Sequence, residues 1–276
     1  MKTIIVNLTG LDATKSALSM AIAIAERCDA HLVGLFVEYA RLAMTGLYGW
    51  GSAYVYEGSE GLDGSYRKKL EGEFIAACER SGVTHEFRAV RTQGKSPLDA
   101  ITAHSRLCDL FVVGAETERH GPLASQADFF TGLVSWAGRP VLIVPEDIDG
   151  DPQFFLAKVG WDGSREAARA AFDAVPLLSL YDGVRIITAN VDPAFGPGYR
   201  ASQKRLHAAL TRHGIDTSTR LVAGKGSDHT VLEKESKEAD LLVIGAFNHN
   251  RLREQLFGGT TFNFCKQPPC PVLLAR

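Results

Sequence analysis

The chain has 276 residues, of which 45% are hydrophobic and 22% are charged, and its formal net charge is −2 at pH 7. This length fits one large domain or two of ordinary size, and the composition is typical of a soluble globular protein. The slightly acidic balance argues against a general nucleic-acid binder, and no apolar run approaches the roughly 20 residues of a membrane-spanning helix.

The cysteines indicate a reducing compartment. Their number is odd, no CxxC pair occurs, and no second ligand pair completes a zinc site next to Cys265 and Cys270. We therefore expect buried, reduced thiols, no metal, and a cytoplasmic protein. The first residues run directly into a strand-like segment that polar residues soon interrupt, so we expect no signal peptide.

In the first half, strands are predicted at residues 4–8, 109–115 and 140–144. Asp12 follows the first of these strands. Residues 96–99, Ser-Pro-Leu-Asp, predict the start of a helix, because a serine cap is followed by proline at the first helical position and an acid at the third.

The second half alternates in the same way. Strands are predicted at residues 155–161, 184–191, 217–223, 241–245 and 271–274. The intervening segments predict helices, which run to about residue 175, over residues 202–213 and 230–237, and from about residue 260. Ser164 or Asp162 can cap the first helix, and Gly214 suits the position after the second.

The two halves repeat one plan. Residues 109–145 align without a gap with residues 240–276, an offset of 131. Because a long self-match indicates a duplicated structural unit, we predict two domains, residues 1–146 and 154–276, joined through residues 145–152.

Alternating strands and helices, with strands that are apolar on both faces, predict an α/β fold. Each domain should hold a five-stranded, mostly parallel sheet with helices on both faces. In such sheets ligands bind beyond the carboxyl ends of the strands. Asp162 and Gly245 both follow strands, so we expect them on one rim.

The segment from Gly245 to Thr261 is the candidate site. A glycine that ends a strand lets the backbone approach a ligand, and residues 258–261, Gly-Gly-Thr-Thr, offer unpaired N–H groups and two hydroxyls at a helix start. His249 and Arg251 could add positive charge. The residues leave two interpretations open: a site for a di- or triphosphate, and an ordinary glycine-rich turn.

The whole chain resembles a tandem universal stress protein, in which two such domains are fused. Nucleotide-binding members carry Gly-x-x-Gly-x9-Gly-(Ser/Thr) between the fourth strand and the last helix. The frame falls on Gly245, Asn248 and Gly258, with Gly259 at the usual Ser/Thr position and Thr260 next. Two identities depart from the motif: Asn248 tolerates left-handed backbone, and Gly259 keeps its N–H but has no hydroxyl.

The resemblance implies a Rossmann-like fold of the adenine nucleotide alpha hydrolase type and an ATP ligand, with or without Mg²⁺. It implies that Asp162 contacts the ribose or a bound metal, and that the backbone of Asn190 and Val191 contacts adenine. It also implies that the two domains pair through their last strands, residues 140–144 and 271–274, and it leaves a homodimer open.

The first half departs from the motif more strongly. Its residues Ala127, Asp128 and Phe129 correspond to Gly258, Gly259 and Thr260. A carboxylate would repel phosphate, and a phenyl ring offers it no hydrogen bond. We therefore predict that the first domain does not bind ATP in this way, although it retains Gly114 and Asp12.

Residues 42–56 belong to an insertion in the first half that is rich in tyrosine and glycine. Two interpretations stay open for it. It is either a surface for a partner or for domain packing, or a mobile loop without a specific role.

No catalytic constellation is present. Residues 94–96, Gly-Lys-Ser, lack the first glycine of a P-loop, because Ala89 stands there. We predict a cytoplasmic stress-response protein in which nucleotide acts as the signal of a sensor or switch. The alternatives are a slow ATPase or other nucleotide-using enzyme, and a nucleotide-free domain pair that binds another small ligand or an unknown protein.

Overall fold

The computed structural model describes most of the chain. The described residues are 1–9, 14–38, 40–44, 54–58, 64–92, 96–115, 126–146, 148, 150–223, 227–246 and 260–276. Among their helices, none is both long and apolar enough to cross a bilayer.

The first half alternates strands and helices, as predicted. Its strands are β1 (Thr3–Asn7), β2 (His31–Glu38), β3 (Ala40–Met44), β4 (Tyr54–Gly58), β5 (His85–Arg91), β6 (Leu110–Ala115) and β7 (Val141–Pro145). Its helices are α1 (Thr14–Cys28), α2 (Ser65–Arg80), α3 (Pro97–Ser105) and α4 (Gln126–Trp136). The predicted start of α3 is confirmed, since Ser96 Oγ accepts a hydrogen bond from the Asp99 N–H at 3.1 Å.

The second half follows the same order. Its strands are β8 (Leu156–Gly160), β9 (Gly183–Thr188), β10 (Thr217–Leu221), β11 (Leu241–Gly245) and β12 (Val272–Ala275). Its helices are α5 (Arg165–Asp173), α6 (Val175–Leu178), α7 (Gly196–Thr211), α8 (Asp228–Ser236) and α9 (Thr260–Lys266). The predicted start of α7 at residue 202 is wrong, because the helix already begins at Gly196. A proline lies in its first turn, where the missing N–H would have no intrahelical partner, so the proline does not break the helix as it would in the interior.

The ten main strands form one continuous sheet. Within the described residues the order is β10-β9-β8-β11-β12-β7-β6-β1-β2-β5. Five neighbouring strands come from each half and are parallel, as predicted. β12 and β7 then pair antiparallel, with Val272 opposite Ile143 and Leu274 opposite Val141, so the predicted pairing of the last strands is confirmed.

The insertion in the first half is not wholly without structure. β3 and β4 form an antiparallel ladder in which Ala40 pairs with Gly58 and Met44 pairs with Tyr54. Regular secondary structure is therefore present at both ends of the insertion. Residues 45–53 lie outside the described residues, and both interpretations of the insertion's role stay predictions.

Two apolar clusters cover the two faces of the sheet. One includes residues of α1, α2, α5 and α7, and the other includes residues of α3, α4, α8 and α9. Successive residues of β1 alternate between them, because Ile4 and Val6 face one cluster and Ile5 faces the other. Burial on both faces explains why the strands read as nearly continuous apolar runs.

The expectation of buried thiols is confirmed for four of the five cysteines. Cys78, Cys108, Cys265 and Cys270 are buried, and Cys28 is half-buried. Burial disfavours the thiolate, so it raises the pKa of Cys78 to about 11 and the pKa values of Cys108, Cys265 and Cys270 each to about 12. These thiols are therefore poor nucleophiles near neutral pH.

The repeat extends to polar contacts. Asp109 Oδ2 accepts hydrogen bonds from the N–H groups of Lys2, at 2.6 Å, and Thr3, at 3.1 Å. Its counterpart Asp240 accepts from the N–H groups of Phe155, at 3.0 Å, and Leu156, at 2.8 Å. Each aspartate precedes one strand and fixes the start of the neighbouring strand. The repeat supports two domains, whose boundaries stay a prediction.

Candidate functional site

The sequence-predicted residues meet at one rim of the second half. β9, β8 and β11 are adjacent and parallel, so their carboxyl ends lie at the same edge of the sheet. Asp162 follows β8, Asn190 and Val191 follow β9, and Gly245 ends β11. The expectation that Asp162 and Gly245 share one rim is therefore confirmed. We call this edge the second-half rim.

Asp162 forms the turn that leads into α5. Its Oδ1 accepts a hydrogen bond from the Ser164 N–H at 2.9 Å, and Gly163 between them has a φ of 80°. The cap of α5 is Ser164, whose Oγ accepts from the Ala167 N–H at 3.1 Å. Asp162 is exposed, so its carboxylate stands beside a helix N-terminus and faces solvent. Its contact with a ribose or a metal stays a prediction.

Gly245 has a packing role that the sequence argument missed. A Cβ at this position would lie 2.5 Å from the Ala167 nitrogen and 2.7 Å from the Glu166 oxygen. The first turn of α5 thus rests directly on the end of β11, and only glycine leaves room for it. The close packing of α5 against β11 is sufficient to require glycine at this position, whether or not a ligand binds there.

Asn190 and Val191 are tied to the next strand and helix. Asn190 has a φ of 50°, and its Nδ2 donates to Asp228 Oδ1 at 2.7 Å. The Val191 N–H donates to the Val222 carbonyl at 3.2 Å. The Val191 N–H therefore already has a hydrogen-bond acceptor within the protein. An adenine ring bound here would have to contact other backbone or side-chain groups of Asn190 and Val191.

A buried polar network lies beneath the rim, and sequence reasoning missed it. Gln203 is only 1% exposed, and its Nε2 donates to Thr188 Oγ1 at 3.0 Å and to the Arg220 carbonyl at 2.9 Å. Thr188 Oγ1 donates in turn to the Trp161 carbonyl at 2.8 Å. The network joins the carboxyl ends of β8, β9 and β10.

The signal for Gln203 was available in the sequence. Gln203, Leu206 and Leu210 are the buried side chains of α7 that recur at intervals of three and four residues. A glutamine on the apolar face of a helix must find hydrogen-bond partners inside the protein. Its partners belong to other elements, so the sequence could not name them.

The start of α8 also reaches this rim. Ser227 caps the helix, since its Oγ accepts from the Thr230 N–H at 3.2 Å, and Asp228 in the first turn binds Asn190. The ring of His229 lies 4.8 Å from the ring of Phe264 in α9, measured between centroids. The N-terminal turn of α8 therefore packs against α9 and contacts the residues that follow β9.

Much of the motif lies outside the described residues. This applies to Asn248, His249, Arg251, Gly258 and Gly259. Thr260 begins α9, and Thr261 in the same turn is only 8% exposed. The predicted helix is confirmed over Thr260–Lys266, and a role in phosphate binding stays a prediction for all of these residues.

The equivalent helix of the first half, α4, begins at Gln126, which corresponds to residue 257. It therefore includes Ala127 and Asp128, the residues that correspond to Gly258 and Gly259.

Phe129 has a packing role in the first half. Its ring is partly buried against the apolar cluster of α3 and α4 and lies 5.4 Å from the ring of Phe130. Gly114 lies in β6, as predicted, whereas Asp12 and the side chain of Asp128 lie outside the described parts. A phenyl ring at this point supports the expectation that the first half lacks this phosphate site.

No group of three or more metal-ligating side chains is found among the residues that the structure describes. Among those of the second-half rim, Asp162 has an exposed carboxylate beside the first turn of α5 that could serve as an oxygen ligand of a divalent cation.

Comparisons with known proteins match the second half of the chain to one family. Residues 158–276 match the model of the Universal stress protein family. The chain is 27% identical over 142 residues to universal stress protein Slr1230 of Synechocystis sp.. That match covers 50% of this chain and 47% of the relative, so the chain spans about half the length of the curated relative that it matches.

Solved structures share the fold over the whole chain. A universal stress protein from Archaeoglobus fulgidus DSM 4304 has a TM-score of 0.66 at 16% identity, over 99% of this chain and 98% of that chain. The functionally unknown protein PA1789 from Pseudomonas aeruginosa PAO1 has a TM-score of 0.63 at 15% identity, over 100% and 92%. At these identities the similarity establishes the fold alone.

Proposed function

We propose, from the premise that residues 158–276 form a universal stress protein domain, that the second half binds an adenine nucleotide. ATP, with or without Mg²⁺, is the proposed ligand, and the second-half rim is the proposed site. The nucleotide acts as the signal of a sensor or switch in a stress response, and the protein is not an efficient enzyme. The second half is the proposed location because the first half replaces the glycine pair by Ala127 and Asp128.

The observation that carries the proposal is that the first turn of α5, with the exposed Asp162 before it, lies against Gly245 at the end of β11. This contact brings a helix N-terminus, with its partial positive charge, to the end of β11, the strand that precedes the segment with the Gly-Gly-Thr-Thr residues. Phosphate groups bind favourably at such a position. The exposed carboxylate of Asp162 lies at the same turn and is suited to a ribose hydroxyl or to Mg²⁺.

Signalling follows from differential binding. A nucleotide that binds one arrangement of residues 245–261 more tightly than others shifts the population toward that arrangement. The surface formed by this segment then differs between the free and the bound protein. A protein partner could distinguish the two states by that difference.

The first experiment identifies the ligand. Freshly purified protein is denatured, the released small molecules are identified by mass spectrometry, and Mg-ATP is then titrated into nucleotide-free protein by calorimetry. We expect about one adenine nucleotide per chain. Two nucleotides per chain would contradict the assignment of the first half, and the absence of both nucleotide and binding heat would overturn the proposal.

The Gly258→Asp variant tests the assignment of the site. It places a carboxylate in the Gly-Gly segment, as Asp128 does in the first half, and charge repulsion should weaken ATP binding at least tenfold. The matched control is Asp128→Asn, which removes the first-half carboxylate and should leave the affinity unchanged. Unaltered ATP affinity in Gly258→Asp would refute the phosphate segment, and release of ADP on incubation with Mg²⁺ would favour the slow ATPase.

A further inference from the structure

Two large apolar side chains are exposed at the edge of the first half opposite to the carboxyl ends of its strands. Leu107 is 69% exposed and Trp136 is 66% exposed. Leu107 follows the end of α3, and Trp136 is the last residue of α4. Exposed apolar residues are ordinary when single, so their arrangement decides whether they form a surface.

Arg106 connects the two helix ends. Its Nε and Nη2 both donate to the Trp136 carbonyl, each at 3.2 Å. The backbone of Trp136 is thus held beside the residue that directly precedes Leu107. The two apolar side chains therefore project from neighbouring, mutually fixed helix ends, and we call these residues, together with Arg106 and Arg139, the Leu107–Trp136 surface.

The repeat shows that the fold does not require apolar residues here. α3 and α8 correspond residue for residue, as do the positions after them. Glu238 stands at the position of Leu107, and Gln267 stands at the position of Trp136. Both are exposed, so the same place in the same architecture is occupied by polar side chains in the second half.

Two exposed arginines, Arg106 and Arg139, flank the pair. Within the described part of the chain neither forms an ion pair with a carboxylate. Asp109, the nearest acid in sequence, is close enough to interact electrostatically with Arg139, but its Oδ2 already accepts hydrogen bonds from the Lys2 and Thr3 N–H groups, so its charge offsets that of Arg139 only in part. The second half has a neutral residue, Cys270, at the position of Arg139.

We propose that the Leu107–Trp136 surface is a docking site for a segment of a partner protein that carries acidic residues next to a bulky apolar residue. Tryptophan and arginine are the side chains that contribute most often to binding energy at protein interfaces. Opposite charge on the segment would steer it to the two arginines and fix its orientation. This site is separate from the second-half rim and does not depend on nucleotide.

A membrane surface fits these observations less well. Peripheral membrane binding uses a long apolar face together with a strong positive charge, whereas this surface has two apolar side chains and the chain carries a net charge of −2. A short acidic segment matches both the small apolar area and the two local positive charges.

The test uses an array of labelled synthetic peptides in which glutamates flank one large apolar residue. Fluorescence anisotropy with the full chain should detect binding that weakens as salt is added. The variants Leu107→Glu and Trp136→Gln introduce the residues that the second half tolerates, and each should weaken binding about tenfold or more. Arg139→Ala should weaken binding and reduce its salt dependence.

Two controls make the result specific. Phe155→Gln removes an equally exposed ring elsewhere and should leave peptide binding unchanged, since Phe155 is 62% exposed and lies in the second half. The same peptides with lysine in place of glutamate should bind at least tenfold more weakly. Circular dichroism establishes that each variant is folded before its affinity is measured.

Four outcomes would overturn the proposal. The first two are the absence of binding by any acidic peptide of the array and equal binding by the lysine peptides. The third is self-association in analytical ultracentrifugation that Trp136→Gln abolishes, which would assign the surface to a second copy of the chain. The fourth is binding to phosphatidylserine vesicles that Trp136→Gln abolishes, which would assign it to a membrane.

Discussion

Gly245 lies where the end of β11 meets the first turn of α5, and there is no room at this contact for a side chain. The atoms that would be displaced belong to the backbone of Glu166 and Ala167. Backbone within a capped helical turn moves less readily than the end of a flexible side chain. A single methyl group here therefore has to shift the helix relative to the sheet.

The first prediction at this scale concerns Gly245→Ala. The clash should destabilise the protein by about 1–3 kcal/mol, the range of overpacked core positions. Gly72→Ala is the matched control, because Gly72 lies in α2 with nothing within 4 Å of a Cβ, and this substitution should stabilise by about 0.5–1 kcal/mol. Urea unfolding measures both, and equal effects in the two variants would contradict the packing account.

A second prediction concerns Asp109 and pH. The hydrogen bond from the Lys2 N–H, helped by that from Thr3, lowers the pKa of the Asp109 carboxyl in spite of partial burial. A carboxyl whose pKa is lower in the folded than in the unfolded state stabilises the fold above its unfolded pKa of about 3.9. This stabilisation is lost as the pH falls through the lower, folded pKa.

The Asp109→Asn variant isolates that contribution. It should be less stable than the original protein at pH 7, and the difference should shrink as the pH falls below about 4. Urea unfolding between about pH 2 and pH 7 measures the difference. A difference that stays constant over this interval would show that the Asp109 charge does not contribute.

At the scale of single elements, capping residues predicted the starts of α3 and α5, whereas the Ser227 cap of α8 was not recognised, so the predicted start at residue 230 lies two residues after the observed start at Asp228. Ser96 caps α3 as expected, and of the two candidates for α5 the structure selects Ser164. The sequence does not predict the start of α7, because the glycine and proline of its first turn are typical of loops. Both residues are nevertheless tolerated in the first turn of a helix. Capping is a local interaction and can be inferred from the sequence. Whether a helix extends through a glycine and a proline at its end depends on packing against other elements.

The element-scale prediction concerns the cap of α5. Ser164→Ala should destabilise the protein by about 1 kcal/mol, because the Ala167 N–H loses its acceptor, and Ser164→Asp should retain most of the stability. If the proposed nucleotide site is correct, Ser164→Ala should also weaken ATP binding by displacing the first turn of α5. Thermal unfolding and calorimetry measure the two effects, and equal stability of both variants would argue against the cap.

At the scale of the whole molecule, the ten strands form one sheet because β7 and β12 pair across the middle. Val141, Leu142 and Ile143 lie opposite Leu274, Leu273 and Val272, and all six are buried. Exposing either edge would leave unpaired backbone groups and apolar side chains in water. Each half therefore protects the edge strand of the other.

The whole-molecule prediction is a single cooperative unfolding transition. Far-UV circular dichroism and the emission of Trp161, measured in a variant whose other two tryptophans are replaced by phenylalanine, should give the same urea midpoint. Introducing Asp109→Asn in the first half should lower the midpoint reported by Trp161 in the second. Separate midpoints, or an unchanged Trp161 midpoint, would show that the halves unfold independently.

The α/β class, the parallel strands of each half, the repeat and the capped starts of α3 and α5 could be inferred from the sequence. These features follow from hydrophobic periodicity, capping residues and self-similarity, which are local or repeated along the chain, whereas the pairing of the last strands was an expectation from the family resemblance. The contacts between elements established that Gly245 accommodates α5, that Gln203 ties three strand ends together, and that the helix ends carrying Leu107 and Trp136 are adjacent. Each of these depends on contacts between elements far apart in sequence, and no local preference of the chain encodes which residue lies opposite which.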